Sequence, residues 1–180
     1  MIILGVDPGL RVTGYGAIQK EGSGFALVEA GVIRTDAKGG IARRLGTLYS
    51  GIKEVLKDFK PGVLVIEKLF AHYKHPATAI LMGHARGVVC LAAHEEGVAM
   101  VSVPSTRVKK SVVSLGHASK GQVQRAVQML LGLEAPPSPP DTADALAVAL
   151  SYALTAVQFR ERDAALKRMG EARILERARS

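Results

Sequence analysis

Four carboxylates stand where a chain could use them for chemistry. Asp7 closes the apolar run "IILGVD", Glu67 closes "VLVIE", and Asp141 and Asp144 lie at the start of "DTADALAVAL", just beyond "PPSPP". Spacing i, i+3 puts Asp141 and Asp144 on one helical face. Each acid also fits a plainer role. Asp141 suits a helix N-cap, negative charge anywhere in that turn suits the helix dipole, Asp7 suits the turn "DPG", and Glu67 suits a strand-end surface. Taken together the plain roles weaken. Several like charges gathered in a low-dielectric crevice repel one another unless cations hold them. Mg²⁺ and Mn²⁺ prefer carboxylate oxygens, and the sequence has no Cys or His cluster with zinc spacing.

Such a cluster needs a scaffold that brings distant segments together. "IILGVD", "TGYGAIQK", "FALVEAGVIRT", "VLVIE" and "VAMVSVP" read as strands. Helices are predicted over Ile41–Phe59, ended by Lys60-Pro61-Gly62, over Pro76–Glu96, ended at Gly97, around Thr106–Leu115 and Ser119–Leu131, and after the prolines. The expected architecture is a mixed α/β sheet of five strands flanked by helices, without an internal repeat. If the first and fourth strands are neighbours, Asp7 and Glu67 lie side by side at the ligand-binding edge of the sheet. The Pro76–Glu96 helix is apolar on more than one face, so its second side must meet either another helix of this chain or a symmetry mate.

The chain has 180 residues, about one domain, and 24 basic against 16 acidic residues leave a net charge of +8. A basic surface suits a polyanion, because phosphate neutralisation with counterion release drives sequence-independent binding. Seven basic residues and four acids fall after Phe159, so part of the excess is a solvated tail. Cys90 stands alone in an apolar segment and reads as a small core residue. No continuous apolar run reaches membrane-span length and the start lacks a signal-peptide pattern, so a soluble cytoplasmic protein without a membrane partner is expected. A basic protein with a cluster of acids points to phosphoryl transfer on nucleic acid, with two metals activating water and stabilising the leaving oxygen.

The segments "ILGVDPGLRVTGYGAI", "LVIEKLF", "MGHARGVV", "VKKSVVSLGHASKGQV" and "DTADALAVAL", in that order, resemble the RuvC family of Holliday-junction resolvases from Ile2 to about Leu154. The resemblance implies an RNase H-like fold, taken over residues 1–157; residues 158–180 match nothing firm in the family and read as a basic, helical or flexible tail. It implies a homodimer that nicks two opposed strands of a four-way DNA junction in recombination and repair, leaving 5′-phosphate and 3′-hydroxyl ends. It implies two Mg²⁺ or Mn²⁺ ions per site on Asp7, Glu67, Asp141 and Asp144, with Asp7 bridging and Glu67 on the nucleophile side. Phe70 matches an aromatic that stacks on an unpaired base. Lys109 and Lys120 match basic positions near the scissile phosphate, Arg107 and Lys110 add candidate phosphate contacts, and a branch-migration helicase complex is the implied partner. Arg86 in "HARG" fits a structural role equally well.

This chain departs from the family in the loop after Phe70. It reads "AHYKHP", without the asparagine often found there, so cut-site preference does not transfer; Tyr73, His75 and His117 are open candidates for contact. "DPGLRVTGYG" also resembles the first phosphate loop of actin-like and sugar-kinase ATPases, but those need a second such domain and a second glycine-rich motif. A non-catalytic DNA-binding module and a general RNase H are the remaining rivals.

Overall fold

The computed structural model describes residues 1–69, 76–113 and 118–156. The strands are β1 (Ile2–Asp7), β2 (Val12–Glu21), β3 (Gly24–Arg34), β4 (Val63–Glu67) and β5 (Ala99–Val103). The helices are α1 (Ile41–Phe59), α2 (Pro76–Glu95), α3 (Ser105–Val113), α4 (Lys120–Leu130) and α5 (140–156). The strands form one sheet in the order β3-β2-β1-β4-β5; β1, β2 and β3 are antiparallel in succession, while β4 runs parallel to both β1 and β5. The mixed five-stranded sheet expected from the sequence is therefore present.

Alternation along the strands builds two cores. Leu4, Val6, Leu64 and Ile66 face α1 and α2, where Leu48, Ile52, Leu56, Ala85 and Val89 cover them. Ile3, Val63 and Val65 face the other way, toward α3, α4 and α5. β1 and β4 are covered on both faces, which is why they read as continuous apolar runs rather than alternating ones. Helix α4 starts on a capping box: Gln122 N donates to Ser119 Oγ, and Ser119 N donates to Gln122 Oε1 at 2.8 Å.

Two helices of similar apolar character are treated differently. Every α5 residue from Ala145 to Ser151 is buried. Helix α2 buries Ala85, Val89, Ala92 and Ala93 but leaves Ile80, Leu81 and Leu91 60%, 42% and 51% exposed. By length and composition alone α2 would suffice to cross a membrane, although His84 and Arg86 break its apolar run. Its inner side is nevertheless part of the sheet's core.

Candidate active site at the sheet edge

The register fixes the first two acids. Val6 pairs with Ile66, so Asp7 and Glu67 are the next residues on adjacent parallel strands. Both continue the alternation of Ile3 and of Val63 and Val65, and therefore project toward α5. The β1–β2 loop behind Asp7 is held by Thr13, which is fully buried: its Oγ1 donates to Gly9 O at 2.7 Å and accepts from Gly9 N at 3.3 Å.

Helix α5 brings the second pair, and three glycines decide how closely. A Cβ at Gly5 would stand 2.1 Å from Ala145 O and 2.7 Å from Ala149 N. One at Gly14 would stand 2.1 Å from Asp141 O, and one at Gly16 would stand 2.5 Å from the Leu146 side chain. Asp7 pairs with Gly14, and Gly5 with Gly16, so the three glycines form one patch of sheet on which α5 lies backbone to backbone. This seat sets the height of Asp141 and Asp144 above Asp7. Asp141 lies inside the first turn rather than at the cap, since α5 begins at residue 140.

Asp7, Glu67 and Asp144 line one cavity of about 280 Å³ together with Ser105, Val108, Lys109, Lys120, Val123 and Ala147. Asp141 does not line it but lies close enough for its charge to act on Asp7. Burial first, then the charges of Asp144, Glu67 and Asp141, push the Asp7 carboxyl up to about 7. Glu67 is raised by burial and Asp144, against the lowering pull of Lys109 and Lys120. Lys120 Nζ reaches Asp144 Oδ2 at 3.3 Å, and that charge raises the lysine above its ordinary value. Among the described residues, no three Asp, Glu, His or Cys side chains already converge on a single point as metal ligands. Three of the four acids line the cavity, and the fourth stands beside it.

The donor set nonetheless fits hard divalent cations. It is all oxygen, carries more negative charge than its two lysines offset, and is costly without further positive charge. Asp7, Glu67 and Asp144 could hold such ions directly, with Asp141 one helical turn away.

Other candidates separate. Ser105, Val108 and Lys109 share the side of α3 that faces the acids. Arg107 lines a second cavity, of about 270 Å³, with Ser102, Ser151, Tyr152 and Thr155. Lys110 is exposed and lines neither of these two cavities. Phe70, Tyr73, His75 and His117 lie outside the described residues, as does the tail from 157 onward. Arg86 proves to be a clamp: its Nε donates to Glu67 O at 3.4 Å and its Nη2 to Ser102 Oγ at 2.7 Å, joining the ends of β4 and β5. The free thiol of Cys90 is half-buried, 3.8 Å from Arg86 Nη1. The glycine seat went unread in the sequence, although Gly5, Gly14 and Gly16 falling on one face at alternate strand positions was a usable signal.

A family model described as crossover junction endodeoxyribonuclease RuvC matches residues 3–152. A curated relative of that name from Rhodopirellula baltica is 47% identical over 148 residues, covering 82% of this chain and 83% of the relative. Another, from Moorella thermoacetica, is 43% identical over 153 residues, covering 85% and 91%. Among solved structures, Thermus thermophilus RuvC superposes with a TM-score of 0.80 at 33% identity, over 88% of this chain and 96% of that one. The same protein in complex with a Holliday junction substrate gives 0.79 at 31% identity, with the same coverage. With its sheet order, its acid-lined cavity and these matches in agreement, the chain belongs to the RuvC family of crossover junction endodeoxyribonucleases.

Proposed function

We propose that this protein is a Holliday-junction resolvase, a metal-dependent endodeoxyribonuclease that nicks two opposed strands of a four-way DNA junction. The observation that carries the reading is the cavity shared by Asp7, Glu67, Asp144, Lys109 and Lys120, in a chain of this family. Asp7 and Glu67 on the strand ends and Asp144 on α5 would hold two divalent ions, Mg²⁺ or Mn²⁺, with Asp141 adding its charge from the neighbouring turn of α5. Bound there, the ions supply an activated water and charge stabilisation of the leaving 3′ oxygen. Lys109 and Lys120 flank the acids and offset the charge of an incoming phosphate, which the carboxylates alone would repel. Arg86 holds the backbone of Glu67 so that its carboxylate keeps station beside Asp7. Phe70 serves as the base-stacking aromatic, and Arg107 and Lys110, which face away from the acids, contribute phosphate contacts outside the cut.

Paired cutting requires two sites. The outward side of α2, with Ile80, Leu81 and Leu91 exposed, supplies an apolar surface for a second copy of the chain. A Cβ at Gly83 or Gly87 would meet nothing within 4 Å, so a partner helix can approach closely there. The reading places the protein in recombination and repair in the bacterial cytoplasm, with a branch-migration helicase complex as its partner.

The test compares a synthetic four-way junction, a linear duplex and an RNA–DNA hybrid, each with and without Mg²⁺ or Mn²⁺. Metal-dependent, symmetric nicking of the junction alone is expected. Cleavage of the hybrid in preference to the junction would replace this reading with a general RNase H.

A further inference from the structure

Beside the catalytic edge lies a basic surface that the acid site does not use. Arg11, Arg34, Lys38 and Arg43 are exposed and Arg44 is half-buried. They come from three segments that hydrogen bonds tie together. Thr35 N donates to Arg11 O at 3.2 Å, Thr35 Oγ1 donates to Leu10 O, and Arg44 Nε donates to Thr35 Oγ1 at 3.1 Å. A Cβ at Gly39 would stand 3.6 Å from the Arg44 side chain and 3.8 Å from that of Arg43, so the intervening turn runs beside both. Asp36 is the only acid between residues 34 and 44, and its carboxylate accepts from Lys38 N at 2.9 Å. None of the five cations forms a salt bridge with a described residue.

The surface lies beside the site, and none of its five cations lines the acid cavity. Arg34 pairs with Val12, two residues along β2 from Gly14, which itself pairs with Asp7. Strand geometry puts Arg34 about 10 Å across the sheet and about 7 Å along it from Asp7, on the same face. That separation corresponds to about four base pairs of duplex. From there the cations continue around the end of the sheet to the start of α1. A row of unpaired positive charges that starts beside the site and leads away from it matches a regularly charged polymer better than a small anion.

We propose that Arg11, Arg34, Lys38 and Arg43, with Arg44 bracing them, form a track for the phosphate backbone of the duplex arm that leaves the catalytic cavity. The track rests on the junction-cleavage reading for its biological substrate but not for its chemistry. It supplies affinity and orientation without base readout, because only backbone charge is presented. Arg44 stays unaltered in the test, since its bond to Thr35 is structural.

The experiment measures binding of the full chain to a four-way junction and to a linear duplex by fluorescence anisotropy across a salt series. The triple variant Arg34→Gln/Lys38→Gln/Arg43→Gln is compared with Lys20→Gln/Lys57→Gln/Lys60→Gln, whose lysines lie at the opposite end of the sheet and of α1. The first triple should bind more weakly and flatten the dependence of log Kd on log salt by about two to three units, at about 0.9 per lost phosphate contact. The control triple should keep the wild-type slope. An unchanged slope in the first triple, or an equal change in both, overturns the track. A flattened slope on linear duplex, in a protein that cuts no junction, keeps the track and removes the resolvase reading instead.

Discussion

Helices α5 and α2 are both rich in Ala and other apolar residues, yet one is sealed into the molecule and the other is half outside it. Helix α5 rests on glycines whose missing Cβ atoms let its backbone touch the sheet, and that contact carries two acids to the cavity edge. Helix α2 meets the sheet through alanines and valines on one side and turns Ile80 and Leu91 to solvent on the other. Its glycines lie in open space. Composition thus tells whether a helix can be buried, while the surface opposite decides whether it is.

Substitutions at glycine break the comparison most sharply. Gly5→Ala drives a methyl into the α5 backbone and should cost about 3 kcal/mol or more, lowering the denaturation midpoint and abolishing nicking together. Asp7→Asn should do the reverse, with cleavage falling about 10³-fold or more while the fold is retained. Junction binding should survive, as measured by gel shift beside the nicking assay.

The same acid predicts a pH response of the metal-free protein. Its folded value of about 7 lies above the unfolded 3.8, so the folded state binds more protons between those values. Stability therefore falls as pH rises from about 4 to about 7, by on the order of 4 kcal/mol at most. Thermal denaturation across that range should show the slope in wild type and a flatter one in Asp7→Asn.

Smaller effects sharpen the account. Arg86→Met should lower the nicking rate about 10-fold by freeing the end of β4, and Arg86→Lys should restore little, lacking the planar fork that reaches both Glu67 O and Ser102 Oγ. Leu91→Glu should leave the denaturation midpoint within about 0.5 kcal/mol of wild type but shift the protein toward monomer in sedimentation. Gly87→Ala, the mirror of Gly5→Ala, should stabilise the single chain by about 0.5–1 kcal/mol, since within one chain its added methyl enters open space, and should weaken any close pairing of two α2 helices.

Much of this was legible in the residues. The acids that end two apolar strands, Asp7 and Glu67, line one cavity with Asp144, the second of the pair behind the proline run, while Asp141 does not line it. Strand and helix limits fell within a few residues of expectation, as Pro76–Glu95 against Pro76–Glu96 shows. What escaped depends on pairing between distant segments. Nothing near Gly14 in sequence reveals that residue 141 will lie on it, and nothing near Arg86 reveals that it reaches the ends of β4 and β5. The separation of Arg107 from Lys109 was readable in principle, because neighbours two apart on a helix face different ways. The basic track was hidden because its cations come from the β1–β2 loop, the end of β3 and the start of α1, which only the sheet joins.

The most direct test is thermal stability at pH 7.5 during titration with Mn²⁺, for wild type and for Asp7→Asn, Glu67→Gln and Asp144→Asn. If the acids repel until cations neutralise them, Mn²⁺ should raise the wild-type midpoint saturably and raise each variant less, while Glu29→Gln, on β3, responds like wild type. A wild-type midpoint indifferent to Mn²⁺, or an Asp7→Asn response equal to wild type, would contradict the account.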